Sequence, residues 1–117
     1  MKIENGVLIN VEKSDIENGS LTIPDTVTEI GDGAFNCCES LEYIYIPKNV
    51  TKIGDDAFRN CYSLKYVFIS SSVTEIGVTA FKDCESLRSF YLPSSLTNIG
   101  KGTFDGCHNL LIHGYQA

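Results

Sequence analysis

A chain of 117 residues with net charge −6 fits a single domain and lacks the clustered Lys and Arg that nucleic acid or an anionic membrane surface would require. Its hydrophobic fraction of 43% and charged fraction of 21% place it with folded proteins, which excludes disorder as the starting assumption. No apolar run approaches the ~20 residues of a membrane-spanning helix, so membrane insertion is not expected.

The chain opens on Met1-Lys2-Ile3-Glu4-Asn5-Gly6, without the apolar stretch of a secretory signal. It therefore reads as a cytosolic protein, or as a mature or excised piece of an exported one. Asn5-Gly6, between Ile3 and Val7-Leu8-Ile9, is a hairpin signal, and Asn18-Gly19 marks a second turn before Leu21-Thr22-Ile23. Residues 1–20 are expected to form an N-terminal β-hairpin cap over the first open edge of the core.

From there a period of 23 residues takes over. Ile30, Ile53, Ile76 and Ile99 recur, each followed by glycine at 31, 54, 77 and 100. Phe35, Phe58, Phe81 and Phe104 keep step, as do Cys38, Cys61, Cys84 and Cys107, then Leu41, Leu64, Leu87 and Leu110. Each unit begins with strand alternation. In Tyr43-Ile44-Tyr45-Ile46 the isoleucines face a core, as do Val67 and Ile69, then Phe90 and Leu92. Pro24, Pro47 and Pro93 close three of these strands, where a missing N–H does least damage. A second short strand follows, Val50-Thr51-Lys52-Ile53, and its glycine suits a positive φ or a tight corner. Residues 55–61 read as a short helical turn, with Asp32 and Asp55 as caps in two units. One such unit cannot bury its apolar edge alone, but stacked on its neighbours it builds a continuous core. The expectation is an α/β solenoid, a right-handed superhelix of four repeats over residues 21–112, with a C-terminal tail at 113–117. In that tail His113 is expected to replace a core aliphatic.

The pattern from Ile46 through Leu64, I-P-x-x-V-T-x-I-G-x-x-A-F-x-x-C-x-x-L, resembles the BspA-type leucine-rich repeat. The resemblance covers about residues 21–112, and Glu4-Asn5-Gly6-Val7-Leu8-Ile9 is similar to the lead-in of such arrays. It implies a leucine-rich-repeat solenoid and, in several bacterial and protozoan members, adhesion at the cell surface. It brings no catalytic residues.

The residues themselves offer little for catalysis or cofactors. Four of the five cysteines are one column of the repeat and are expected as buried free thiols, while Cys37 stands outside it as the exposed one. No spacing suits a zinc site, and no cofactor is expected. Cys107-His108 would need the core to open before acting as a nucleophile pair, and no G-x-S-x-G or phosphate-cradling loop is present. Asn18-Gly19-Ser20 and Asn49-Val50-Thr51 match the glycosylation sequon. Thr28, Thr51, Thr74 and Thr97 form a column beside Glu29, Lys52, Glu75 and Asn98, read as stabilising register.

The outward strand positions carry the functional expectation. Tyr45, Phe68 and Tyr91 share one column; Tyr43 and Tyr66 share the next, which Ser89 breaks. Glu42, Lys65 and Arg88 flank them. Tyr-rich exposed patches are typical interface anchors, although an aromatic ladder also stiffens a sheet. The chain is therefore expected to be a non-catalytic module that binds a protein partner through this concave face. Alternatives are a structural segment of a longer array, or self-association as a homodimer through the aromatic face or the C-terminal edge. A small acidic inhibitor of a nucleic-acid-binding protein is a third.

Overall fold

The structure is a computed structural model and describes residues 1–114; residues 115–117 of the expected tail lie outside the described residues. The chain starts with the hairpin that Asn5-Gly6 announces. Strands β1 (Lys2–Glu4) and β2 (Val7–Asn10) are antiparallel. Asn5 and Gly6, at φ 49° and 80°, supply the left-handed pair that a tight hairpin turn needs. Asn18 and Gly19 repeat this geometry at φ 51° and 82°, joined by the Glu17–Ser20 bridge.

Two sheets then run along the stack. The first has six strands in the order β1-β2-β3-β5-β7-β9, where β3 is Glu29–Ile30, β5 Lys52–Ile53, β7 Glu75–Ile76 and β9 Asn98–Ile99. From β2 onward every pairing is parallel, with Leu8, Ile30, Ile53, Ile76 and Ile99 in register. The first rung of this sheet is thus β2, within residues 1–20. The second sheet has four parallel strands in the order β10-β8-β6-β4. Here β4 is Tyr43–Ile46, β6 Tyr66–Ile69, β8 Ser89–Leu92 and β10 Leu111–Gly114.

The segment closing each coil between the sheets is not the helical turn expected from the sequence. Residues 33, 56, 79 and 102 all have positive φ, and so do residues 37, 60, 83 and 106. Left-handed residues at every fourth position cannot propagate an α-helix. The segment is a chain of tight turns in which N–H groups alternate between two acceptors. Ala57 and Arg59 donate within their own coil, to Gly54 and Asp56. Asp56, Phe58 and Asn60 donate to the next coil, to the carbonyls of Val78, Ala80 and Lys82 at 2.7–3.0 Å. With no helix to cap, Asp32 and Asp55 do something else. Their carboxylates accept the N–H of Asp55 and of Val78, one coil further on, each at 2.8 Å.

The repeating glycines answer to space, not to backbone sign. Gly31, Gly54, Gly77 and Gly100 are absent from the positive-φ residues. A Cβ on Gly54 would lie 2.5 Å from the Asp32 carboxylate and 2.7 Å from its amide nitrogen. Adjacent coils touch backbone to backbone at this column, and only hydrogen fits.

The core between the sheets is a set of stacked columns. Phe35, Phe58 and Phe81 are fully buried, with rings 4.6 and 5.0 Å apart and nearly parallel. Phe90 crosses edge-on between Phe81 and Phe104. Ile44, Ile46, Val67 and Phe90 point inward as alternation requires. Thr51, Thr74 and Thr97 hydroxyls each donate to the threonine carbonyl one coil earlier, at 3.1–3.4 Å. Beside them Lys52 reaches Glu75 at 3.9 Å, an exposed pair worth under about 1 kcal/mol.

Candidate functional site

Strands β4, β6 and β8 read Tyr-Ile-Tyr-Ile, Tyr-Val-Phe-Ile and Ser-Phe-Tyr-Leu, so each strand has two outward positions. Parallel register sets Tyr43 beside Tyr66 and Tyr45 beside Phe68. Tyr45, Phe68 and Tyr91 are exposed to 58, 58 and 61%. Tyr43 and Tyr66 are exposed to 46 and 41%, and the Tyr66 and Phe68 rings lie 6.5 Å apart. The Tyr43 hydroxyl donates to the Asn18 carbonyl at 3.3 Å, which ties this ring to the first turn. All five aromatics expected outside are on one solvent face of one sheet.

The face extends one rung further than expected. His113 pairs with Tyr91 across β10 and β8, and its ring stacks on the tyrosine at 4.5 Å and 16°. It is therefore an outward residue and does not replace a core aliphatic. The reason is a shortened repeat. Ile112 pairs with Phe90, so the last interval is one residue less than the 23 of the repeats before it, and every later side chain changes face. Counting inward from Phe90 by 22 rather than 23 residues would have found it.

On one flank Lys65 reaches Glu42 at 3.6 Å, while Arg88 is exposed and forms no ion pair among the described residues. At the N-terminal end of the face a cleft of about 250 Å³ lies between Leu21–Ile23 and the Tyr45, Pro47 and Phe68 side chains. The strand edge is open there, since β4 ends its sheet and residues 21–24 form no strand. The result is a mostly apolar surface with a few polar tips and a recess that can admit one bulky side chain.

Elsewhere the chemistry is quiet. All five cysteines are free. The thiols of Cys61, Cys84 and Cys107 donate to the carbonyls of Phe35, Phe58 and Phe81, each at 3.1 Å, one coil back. Burial pushes the Cys38 thiol up to about 11 and that of Cys107 up to about 12. Cys61 is raised further, by the neighbouring Cys84 thiol and then by burial. A thiol held neutral and bonded to a carbonyl is a poor nucleophile. Cys37 is exposed, as expected, with Asn60 donating to its sulfur at 3.7 Å. The Cys107 thiol donates its hydrogen bond to the Phe81 carbonyl, not to His108. Among the described residues no cluster of three metal-ligating side chains occurs. The amide of Asn49, in one sequon, donates to the Asp25 carbonyl at 2.8 Å.

Comparison with known proteins places this architecture. A family model described as BspA type leucine rich repeat region matches residues 12–112, in six copies. Among solved structures, a leucine rich cell surface protein from Faecalibacterium prausnitzii is 33% identical with a TM-score of 0.81, over 91% of this chain and 28% of its own. The pneumococcal vaccine antigen PcpA is similar with a TM-score of 0.85 at 24% identity, over 93% of this chain and 27% of its own. A leucine-rich repeat protein from Bacteroides capillosus has a TM-score of 0.79 at 23% identity, over 94% and 86% of the two chains. The last two likenesses concern the fold alone. No curated protein matches the sequence. This chain spans only 28% of the Faecalibacterium protein's length.

Proposed function

The chain belongs to the BspA-type leucine-rich-repeat family, and from that premise we propose that it is a non-catalytic module that binds a protein partner through its aromatic sheet face. The observation that carries the reading is the exposed column Tyr45–Phe68–Tyr91, continued by the half-buried His113, with Tyr43 and Tyr66 beside it. Solvent-exposed aromatics in a contiguous strip are unusual on a protein that acts alone, and tyrosine is a favoured interface anchor. Arg88 and the Glu42–Lys65 pair form its polar rim. The resemblance to a cell surface protein adds support for a partner on a cell or host surface.

The family and its solved neighbours are repeat proteins, which agrees with a binding or structural role and with no enzyme activity. The raised, carbonyl-bonded thiols point the same way.

The test is a double substitution, Tyr45→Ala with Tyr91→Ala. Both side chains are more than half exposed, so the melting temperature should stay within a few degrees of wild type. Surface proteins cross-linked to the wild-type chain should be lost with the variant and retained with Thr51→Ala on the other sheet. If the double variant keeps its fold and its cross-linking pattern, the aromatic face is not the binding surface. Binding lost only on adding salt would point to the chain's acidity instead.

A further inference from the structure

We propose that the recess at the N-terminal end of the aromatic face takes an arginine side chain from an extended segment of the protein partner, which rests on that face being the binding surface. The recess exists because a strand ladder stops early. β4 pairs with β6 over its whole length, Tyr43–Ile46 against Tyr66–Ile69. The carbonyls of Glu42 and Ile46 point to that side, where they accept the N–H groups of Lys65, Tyr66 and Ser70. Alternation along the strand turns the polar groups of Tyr43 and Tyr45 the other way, toward residues 19–23. Pairing there ends at its first rung, in which the Gly19 carbonyl receives the Glu42 and Tyr43 N–H groups at 2.7 and 3.2 Å. Leu21, Thr22 and Ile23 make no backbone bond to β4, and the Tyr43 and Tyr45 carbonyls find no donor among the described residues. The cleft of about 250 Å³ lies between the two stretches.

Unanswered carbonyls call for a donor, and the rest of the lining selects which. Tyr43, Tyr45 and Phe68 bring aromatic rings, Leu21 and Ile23 bring apolar surface, and the exposed Asp25 brings a carboxylate. Asp25 forms no ion pair among the described residues, although Lys48 holds the same place one coil on. Rings, carbonyls and a carboxylate around one apolar recess favour a cation. A guanidinium answers all three together. Its plane stacks on a ring, its fork of N–H groups reaches carbonyl and carboxylate, and its methylene stem lies on the apolar wall. A lysine ammonium has no plane to stack and fewer donors. The open Tyr45 N–H suits a main-chain carbonyl of the same extended segment. Charge around the recess agrees, since the exposed Glu17 lies in a second cleft on the other side of Tyr43. The unpaired Arg88 stands two coils away, so the face is acidic at one end and basic at the other, which orients the partner segment along it.

The experiment titrates the full chain, labelled with nitrogen-15, with a blocked pentapeptide carrying one arginine among threonines. Parallel titrations replace that arginine with lysine or with citrulline, its uncharged analogue of the same shape. Saturable shifts at the Asp25, Tyr45 and Phe68 amides are expected with arginine, weaker binding with lysine, and binding at least about tenfold weaker with citrulline. Asp25→Asn should weaken the arginine peptide about fivefold or more, while Glu85→Gln, the same loss of charge on the far flank, leaves it unchanged. Citrulline binding as tightly as arginine would overturn the proposal. Equal losses from Asp25→Asn and Glu85→Gln would reduce the effect to overall acidity and overturn it as well, as would unshifted amides at about 1 mM peptide. If the peptide fails while cross-linking still depends on Tyr45 and Tyr91, only the occupant of the recess is wrong. If cross-linking ignores the tyrosine pair, the reading of the whole face falls and the recess with it.

Discussion

An added methyl group on Gly77 has nowhere to go, because its Cβ would stand 2.5 Å from the amide nitrogen of Asp55 in the coil before. Backbone cannot yield as a side chain can. Gly77→Ala should therefore cost about 1–3 kcal/mol, read from chemical denaturation, even though alanine is ordinarily the milder residue in a folded chain. An unchanged midpoint would mean the coils are less closely apposed than their column of glycines implies. The thiols allow a different test. Cys38 and Cys107 ionise near 11 and 12 in the folded chain, against 9.0 for an unperturbed thiol. Below pH 9 both states keep their protons and nothing changes. Above it the unfolded chain releases protons that the native chain retains, so stability should fall steadily as pH rises. Thermal melts between pH 7 and 11 measure this; replacing Cys38 and Cys107 with alanine should flatten the alkaline slope.

The stacked elements distribute stability unevenly. Phe58 is sandwiched between Phe35 and Phe81 and fully buried, while Phe104 has a ring on only one side of its stack and is partly open. Phe58→Ala should cost about 3–5 kcal/mol and Phe104→Ala clearly less, by urea denaturation of the two variants. This contrast also shows what was legible in the sequence. Side-chain alternation and period are written directly in residue types, so the sheets, the core columns and the outward tyrosines could be read from Tyr43-Ile44-Tyr45-Ile46 and its relatives. Backbone sign is not. Asp56, Thr79 and Asp83 are left-handed without being glycine, and the φ of these residues is set by the hydrogen bonds of the coil stacked above. A chain of turns therefore shares its residue types with a helical one, and the amides that Asp32 and Asp55 bind, one coil further on, are not legible in their own segment. The outward placement of His113 is hidden for a related reason, since a one-residue contraction keeps the residue types of the segment while reversing its faces.

For the molecule as a whole, every coil meets only its neighbours, and protection should follow position. Hydrogen exchange is expected to be slowest at the amides of Phe58, Ile53 and Ile76, which lie between complete coils, and fastest in β10. Uniform protection from end to end would show instead that the stack opens only as one unit. The proposed binding face and the architecture are linked at this scale, because the spacing of the aromatic strip is the spacing of the coils. A partner reading Tyr45, Phe68 and Tyr91 reads the repeat itself, at ~4.8 Å per step.

The lateral bonding of the coils has a mechanical consequence. Each coil is bonded to its neighbours along the stacking direction, so a pull applied through the two ends loads their hydrogen bonds one coil at a time rather than all together. Coils should peel off singly at low tension, each releasing a 23-residue length that extends to about 80 Å. A chain held by its two ends would lengthen under load before the whole stack came apart, and an optical trap would record the release as evenly spaced steps.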